Sequence, residues 1–331
     1  MQMWMIALAN TGLRRYDGSR FNNLDWYCAG NITAYSFEMK YILSFIASAL
    51  LLGCSSNLQS GADIDVSKTA VTSEYDSTVP DVSEHMMRPA VLSFSKTRGW
   101  RHEEGIAGLS YFLIKLTREK GYGVFSTENA AIFNDRSLAD FKLIVLNNAT
   151  GNSLSENQKN AVQRWLEAGG AILALHGAGD GSQDEWPWYQ KQLIGPKFIG
   201  HPADPQFQDA RIEMLDANHP IAEGIPPDWK ANDEWYSFDG VPDSTARIIA
   251  GLDESTYSPV NTVYGDVSDL RMGEGAASHP IIWSRCIGEG RFVYSALGHQ
   301  ENSYNNSVYA QLLSNAFDWA VKTSDEAGKG C

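Results

Sequence analysis

Gly169-Gly-Ala-Ile-Leu-Ala-Leu-His-Gly-Ala-Gly179 is the stretch that decides the fold of this chain. Ala171–Leu175 is an unbroken apolar run set between a glycine pair and a glycine-rich turn. A short apolar run bounded by breakers predicts a strand covered on both faces, as in parallel sheets. The segment before it predicts a helix. Ser155-Glu-Asn-Gln158 carries a helix-start signature, with Ser153 or Ser155 as the cap. Ala161, Val162, Trp165 and Leu166 then fall on one side as far as about Glu167, and Gly169-Gly170 ends the helix.

The same alternation extends toward the N-terminus. Ala90–Phe94 predicts a strand, and Ile106, Leu109, Leu113 and Leu116 predict a helix over about Gly105–Lys120. Val124–Thr127 and Leu143–Asn147 predict two more strands. The resulting β-α-β-(α)-β-α-β order calls for a parallel sheet with helices on both faces. Past His176 the regularity fades. Residues 177–245 are rich in Trp, Pro, Gly and Asp and predict a long irregular excursion of the functional kind. Within it a helix is expected near Trp188–Leu193 and a strand at Ala210–Leu215. Arg247–Gly251 predicts a strand. Ile281–Cys286 and Arg291–Ala296 flank Ile287-Gly-Glu-Gly290 and predict a hairpin. A last helix is expected over about Ser307–Val321.

The chain has 331 residues, 43% of them hydrophobic, enough for a sizeable core. Its net charge of −14 argues against a nucleic-acid or anionic-membrane partner. Cys28, Cys54, Cys286 and Cys331 show no CxxC spacing, so neither a zinc knuckle nor a redox pair is suggested. Cys286 is expected as a buried apolar filler of its strand.

Met39–Cys54 reads as a secretory signal. Lys40 precedes an apolar run from Tyr41 to Leu52, too short for the roughly 20 residues that span a bilayer. The ending Leu51-Leu-Gly-Cys54 resembles the bacterial lipobox, which implies cleavage before Cys54 and its lipidation. Ser55 then implies the outer membrane. The expected organisation is an upstream extension (1–38), a lipoprotein signal peptide (39–53), a flexible tether rich in Ser, Thr, Asp and Glu (54–87), a folded domain (88–323) and a disordered tail (324–331). The expected location is the cell envelope, lipid-anchored and facing the periplasm.

Four histidines carry the functional reading. His102 follows the first strand, His176 and His299 end later ones, and His201 lies in Gly-His-Pro after Lys197–Ile199. Open α/β sheets place their ligand crevice at the carboxyl ends of strands. Histidines converging there would make a titratable or metal-binding site. His102, His176, His201 and His299 are candidate ligands for a divalent metal, zinc or similar, with Asp233 or Glu234 as the carboxylate and His102, His201 and His299 as the leading set. His102, His176 and Glu234 are candidate catalytic groups. The same residues could hold a sugar and do acid–base work without metal, or serve only as hydrogen-bonded structural histidines. His219, in Asn-His-Pro-Ile, reads as a turn residue. His85 and His279 read as incidental.

Asp233-Glu-Trp-Tyr236 sets two carboxylates beside two aromatics. Neighbours in an extended chain point opposite ways, so Glu234 is expected to face the site with Tyr236. Trp100, Trp186, Trp188 and Trp235 are candidate stacking platforms. Trp100, Trp186, Asp233 and Tyr236 form the candidate substrate-binding set.

Six stretches occur in an order that resembles the ThuA-like (trehalose utilisation) family across nearly all of residues 90–320. They are Gly99-Trp-Arg-His102, Gly169–His176, Ile199-Gly-His-Pro202, Asn218-His-Pro-Ile221, Asp233-Glu-Trp-Tyr236 and Gly288-Glu-Gly-Arg-Phe-Val-Tyr-Ser-Ala-Leu-Gly-His299. The resemblance implies an α/β fold like that of class I glutamine amidotransferases, a flavodoxin-like three-layer sandwich with a mainly parallel sheet. It also implies a role in sugar metabolism, notably with oxidised (keto) disaccharides. The amidotransferases carry a nucleophilic Cys in the tight turn after a central strand. Here that turn is His176-Gly-Ala-Gly179, so a Cys–His mechanism is not expected. Two functions are carried forward. One is a metal-assisted hydrolase or lyase acting on keto-glycosides. The other is a non-catalytic carbohydrate-binding surface lipoprotein. In both the partner is a small carbohydrate, and the membrane enters only through the lipid anchor.

Overall fold

The computed structural model describes residues 74–322. The upstream extension, the signal peptide, Cys54 and the tail lie outside the described residues. A nine-stranded sheet runs in the order β2-β1-β3-β4-β12-β11-β9-β6-β7. Its parallel half is β1 (Ala90–Phe94), β2 (Gly123–Thr127), β3 (Phe141–Asn147), β4 (Ala171–Leu175) and β12 (Gly290–Ser295). That order, 2-1-3-4 and then a fifth strand, is the flavodoxin-like arrangement. The helices are α1 (Glu103–Lys120), a single turn α2 (Asp135–Leu138), α3 (Glu156–Glu167) and α4 (Ser307–Val321).

Local chemistry accounts for these elements. Every residue of β1 and β4 is buried, as their unbroken apolar runs require. Ser155 and Gln158 form the capping box of α3. Asn306 caps α4 by accepting from the Val308 and Tyr309 amides. The apolar stripes of α1 and α4 supply Leu109, Leu113, Leu312, Leu313 and Trp319 to one continuous core.

β11 (Pro280–Ile287) pairs antiparallel with β12 across a tight turn, and the sheet continues antiparallel through β9 (Ala246–Asp253), β6 (Phe207–Met214) and β7 (Asp228–Glu234). Each pairing reverses direction, so β7 again runs parallel to β12. The carboxyl end of β7 therefore lies on the same sheet edge as the ends of β4 and β12. A separate three-stranded sheet, β10 (Thr262–Tyr264), β5 (Phe198–Asp204) and β8 (Ser237–Phe238), completes the described chain.

Residues 177–245 are thus not irregular: they contain β5 to β8. The strand expected at Ala210–Leu215 is most of β6, and Lys197–Ile199 marks the start of β5; β7 buries little of either face, and its polar residues hid it. The helix expected near Trp188–Leu193 is a π-helical turn, Tyr189–Ile194. Residues 74–79, assigned to the tether, lie against the domain. Asp76 pairs with Lys96 at 2.5 Å and accepts from the Ala130 amide at 2.7 Å, and Thr78 O accepts from Asn129 at 2.9 Å. Cys286 is not a buried filler. It sits where β11 runs out past the core, exposed and disulfide-bonded.

Candidate metal centre

The carboxyl ends of four strands bring the site together. His102 stands between β1 and α1, where it occupies the N-cap position. His176 follows β4 directly, with a φ of 44°. A non-glycine residue in that left-handed region is strained and is usually held by its surroundings for a purpose. His299 follows Gly298 after β12, and Glu234 ends β7.

Three side-chain atoms form a tight triangle. His176 Nε2 lies 3.1 Å from His299 Nδ1 and 3.2 Å from Glu234 Oε2, and the third edge, His299 Nδ1 to Glu234 Oε2, is 3.0 Å. A tetrahedral ion at about 2.0–2.1 Å from N and O ligands needs ligand atoms about 3.3 Å apart. The triangle comes within a few tenths of an ångström of that spacing. With His102 included, one ligand atom from each of the four residues lies within 4.8 Å of the others.

The surroundings of His176 fix which nitrogen is available. Its Nδ1 donates to the Ala296 carbonyl at 2.7 Å. A carbonyl can only accept, so Nδ1 carries the proton and the neutral ring offers Nε2 as a lone pair. Carbonyl-anchored imidazoles of this kind are the usual outer support of a metal ligand. The lone pair faces a carboxylate oxygen, and two acceptors at that distance repel. A second proton on His176 or a cation must lie between them. Burial alone would lower the basicity of His176, but the hydrogen bond and charge of Glu234 outweigh it and raise the ring above its ordinary value. Burial likewise opposes the charge on Glu234, yet hydrogen bonds from His176 and His299 hold it well below the usual carboxylate range. His102 is different. Burial first, then the charges of His176 and His299, push it down to about 2, so it is a neutral imidazole. Its Nδ1 is buried with no hydrogen-bond partner, an orphan of the kind a ligand satisfies.

Supporting groups hold this set in place. Asp233 is fully buried and turned away from the triangle. It accepts from the Gly298 and His299 amides at 2.9 and 3.2 Å and from Ser303 Oγ at 2.8 Å, and so fixes the loop that carries His299. Glu234 Oε1 accepts from Gln206 Nε2 at 2.5 Å, and His201 Nδ1 lies 3.2 Å from the same oxygen. Tyr236 packs its ring 4.2 Å from that of His176, and its hydroxyl is 3.4 Å from His102 Nε2.

The site opens into a cavity of about 480 Å³, lined by His102, His201, Glu234, Tyr236 and His299 together with Trp100, Asp180, Phe198, Gln206 and Tyr264. That volume falls within the roughly 300–1,000 Å³ of small-molecule sites.

The four strand-end histidines therefore converge, and the choice of Glu234 over Asp233 follows the strand alternation. The candidate ligand set is narrower than expected. Of the four candidate histidines, His102, His176 and His299 present ligand atoms together with Glu234, whereas His201 stands behind Glu234. Asp233 supports a loop and does not line the cavity. Trp186 lies elsewhere, 8% exposed and stacked on Tyr189 at 5.0 Å and Trp188 at 5.9 Å. Trp235 is buried and donates to Gln208 O. His219 is the turn residue expected, bonded to the Ile221 amide and Ser284. His85 is exposed. His279 is not incidental: fully buried, it bridges Glu254 at 2.7 Å and the Tyr236 carbonyl at 2.9 Å. Gln206, Tyr264 and Asp180 escaped the sequence reading. Only Asp180 left a signal there, since it closes the turn that starts at His176.

The ThuA family, described as trehalose utilisation, matches residues 90–320. A ThuA-like protein of known structure from Bacteroides uniformis is 22% identical and superposes with a TM-score of 0.60 over 75% of this chain and 98% of its own. Another, from Parabacteroides merdae, is 17% identical with a TM-score of 0.53 over 73% and 92%. At these identities the two structures show a shared fold. No curated protein matches the chain.

Proposed function

The chain belongs to the ThuA (trehalose utilisation) family, and its association is with sugar metabolism; from that premise we propose that it is a metal-assisted hydrolase or lyase acting on keto-glycosides. The observation that carries the reading is the triangle of His176 Nε2, His299 Nδ1 and Glu234 Oε2 on the edge of a ligand-sized cavity. These three residues, with His102, would hold a divalent ion such as zinc. Bound there, the ion would supply a Lewis acid to a sugar carbonyl or lower the pKa of a water. The side chains do the rest. Tyr236 keeps its hydroxyl protonated, because burial pushes its pKa well above the ordinary value, and so can donate a hydrogen bond. His201 is lowered by burial, is neutral at pH 7, and can take up or release a proton beside Glu234. No thiol stands in the turn after β4, where His176 occupies the elbow, which supports setting aside a Cys-dependent amidotransferase mechanism.

A specific observation favours the second reading, a carbohydrate-binding surface protein without turnover. Trp100 is 73% exposed at the cavity. We further propose that Cys54 carries a lipid anchor in the cell envelope, on the strength of the lipobox-like Leu51-Leu-Gly-Cys54. Turnover separates the two functions. Protein purified without a histidine tag is incubated with 3-keto-disaccharides, before and after removal of metal by a chelator. Product release that stops on chelation and returns with zinc is the expected result. Binding without release favours the second reading, and neither binding nor release contradicts both.

A further inference from the structure

We propose that Asp180, with Trp100 and Tyr264, forms a subsite that grips the hydroxyls of an uncharged pyranose ring and selects it over phosphorylated sugars, an inference that rests on the carbohydrate reading above. Asp180 closes the turn His176–Gly179 and lines the same cavity as the candidate metal ligands. Its orientation is fixed: Oδ1 accepts from the Ser182 amide at 2.8 Å and from Ser182 Oγ. Ser182 is itself held by the Gly151 amide, which donates to its Oγ at 2.7 Å. Oδ2 has no hydrogen-bond partner among the described residues, and no lysine or arginine pairs with this carboxyl. Burial pushes its pKa up, and the hydrogen bonds from Ser182 only partly oppose it. A ligand that supplies O–H donors would satisfy it, and the hydroxyls of a sugar are such donors.

The aromatic side of the subsite is equally placed. The loop that presents Trp100 abuts the same serine: a Cβ built on Gly99 would lie 3.4 Å from Ser182 Cβ. Trp100 and Tyr264 are 73% and 61% exposed, unusual for such large apolar side chains, and both line this cavity. Tyr264 is paired with His201 in the β5–β10 ladder, its ring 5.0 Å away. Flat aromatic faces stack on the C–H face of a pyranose, while the carboxylate takes its hydroxyls. The lining contains no Lys or Arg, whereas phosphate recognition relies on such cations.

The test uses trehalose and trehalose 6-phosphate as probes. Saturation-transfer NMR and calorimetry are run on wild type, Asp180→Asn and Trp100→Ala, with zinc content and circular dichroism measured on the same samples. Trehalose should bind the wild type, and trehalose 6-phosphate should not. Each variant should weaken trehalose binding by about tenfold or more, the loss of one charged hydrogen bond or stacking surface, with zinc unchanged. Asp180→Asn binding like wild type would overturn the subsite. So would equal binding of the phosphate, absence of trehalose binding by the wild type, or loss of zinc from a folded Asp180→Asn. The two readings fail separately. Sugar binding sensitive to Asp180 in a protein that takes up no zinc sinks the metal chemistry and leaves the subsite standing. Zinc uptake with sugar binding indifferent to Asp180 does the reverse.

Discussion

His176 holds its place through backbone and ring together. Its φ of 44° turns the chain sharply after β4, and Ala296 O commits Nδ1, so Nε2 faces His299 and Glu234. That commitment makes His176 and His201 separable by mutation. His176→Ala should abolish zinc uptake. It should also destabilise the fold by about 1–3 kcal/mol, because a buried carbonyl loses its donor. His201→Ala should keep zinc and lose turnover. Metal analysis of the two purified variants, alongside urea denaturation, reads both outcomes, and a His176→Ala protein with full zinc would refute the assignment. The site was partly legible at this scale. Histidines that end apolar runs announce themselves, and alternation picks Glu234 over Asp233. The role of His279 was not legible, because its partners Glu254 and Tyr236 lie 25 and 43 residues away and nothing local marks them.

At the scale of elements, close packing between α1 and the β12 loop sets the geometry. A Cβ on Gly105 would come within 2.4 Å of Gly298 O, so only glycine lets the start of α1 approach the loop that bears His299. The clasp of Glu254 on His279 matters as much for the other wall, since His279 also bonds the Tyr236 carbonyl. Burial alone would raise the Glu254 carboxyl. The hydrogen bonds from His279 and from the Met272 and Gly273 amides outweigh burial and hold it below its ordinary value. A carboxyl depressed in the folded state adds stability above its unfolded value of about 4.3 and loses it as pH falls through the folded value. The stability gap between wild type and Glu254→Gln should therefore be widest near pH 7 and shrink below about pH 4. Urea midpoints across that range measure it, and a gap that stays constant with pH would contradict an ionised Glu254 carboxylate in the clasp. Of the strands that build this wall, β5 showed only its start, Lys197–Ile199, and β7 was invisible to its sequence pattern. Asp228-Trp-Lys-Ala-Asn-Asp-Glu234 sits at the edge of the sheet with half its residues open to solvent, so no apolar period survives in it.

Across the whole molecule, the parallel half of the sheet was legible because buried strands such as Ala171–Leu175 must be continuously apolar. The antiparallel half was legible in part: the strands expected at Ile281–Cys286, Arg247–Gly251 and Ala210–Leu215 are β11, β9 and most of β6, whereas β7, which carries Glu234 to the site, matched no expected strand. The envelope location makes its own prediction. Cys54→Ser should abolish lipid labelling and release the protein from the membrane fraction, and a Cys54→Ser protein that still partitions with membranes would contradict the anchor. The metal centre is tested most directly by diffraction at the zinc absorption edge, on crystals of untagged protein supplied with zinc. An anomalous peak about 2.0–2.1 Å from His176 Nε2, His299 Nδ1 and Glu234 Oε2 is the expected result. A map without that peak, with His176 and Glu234 still about 3.2 Å apart, would show that a proton and not a metal ion joins them.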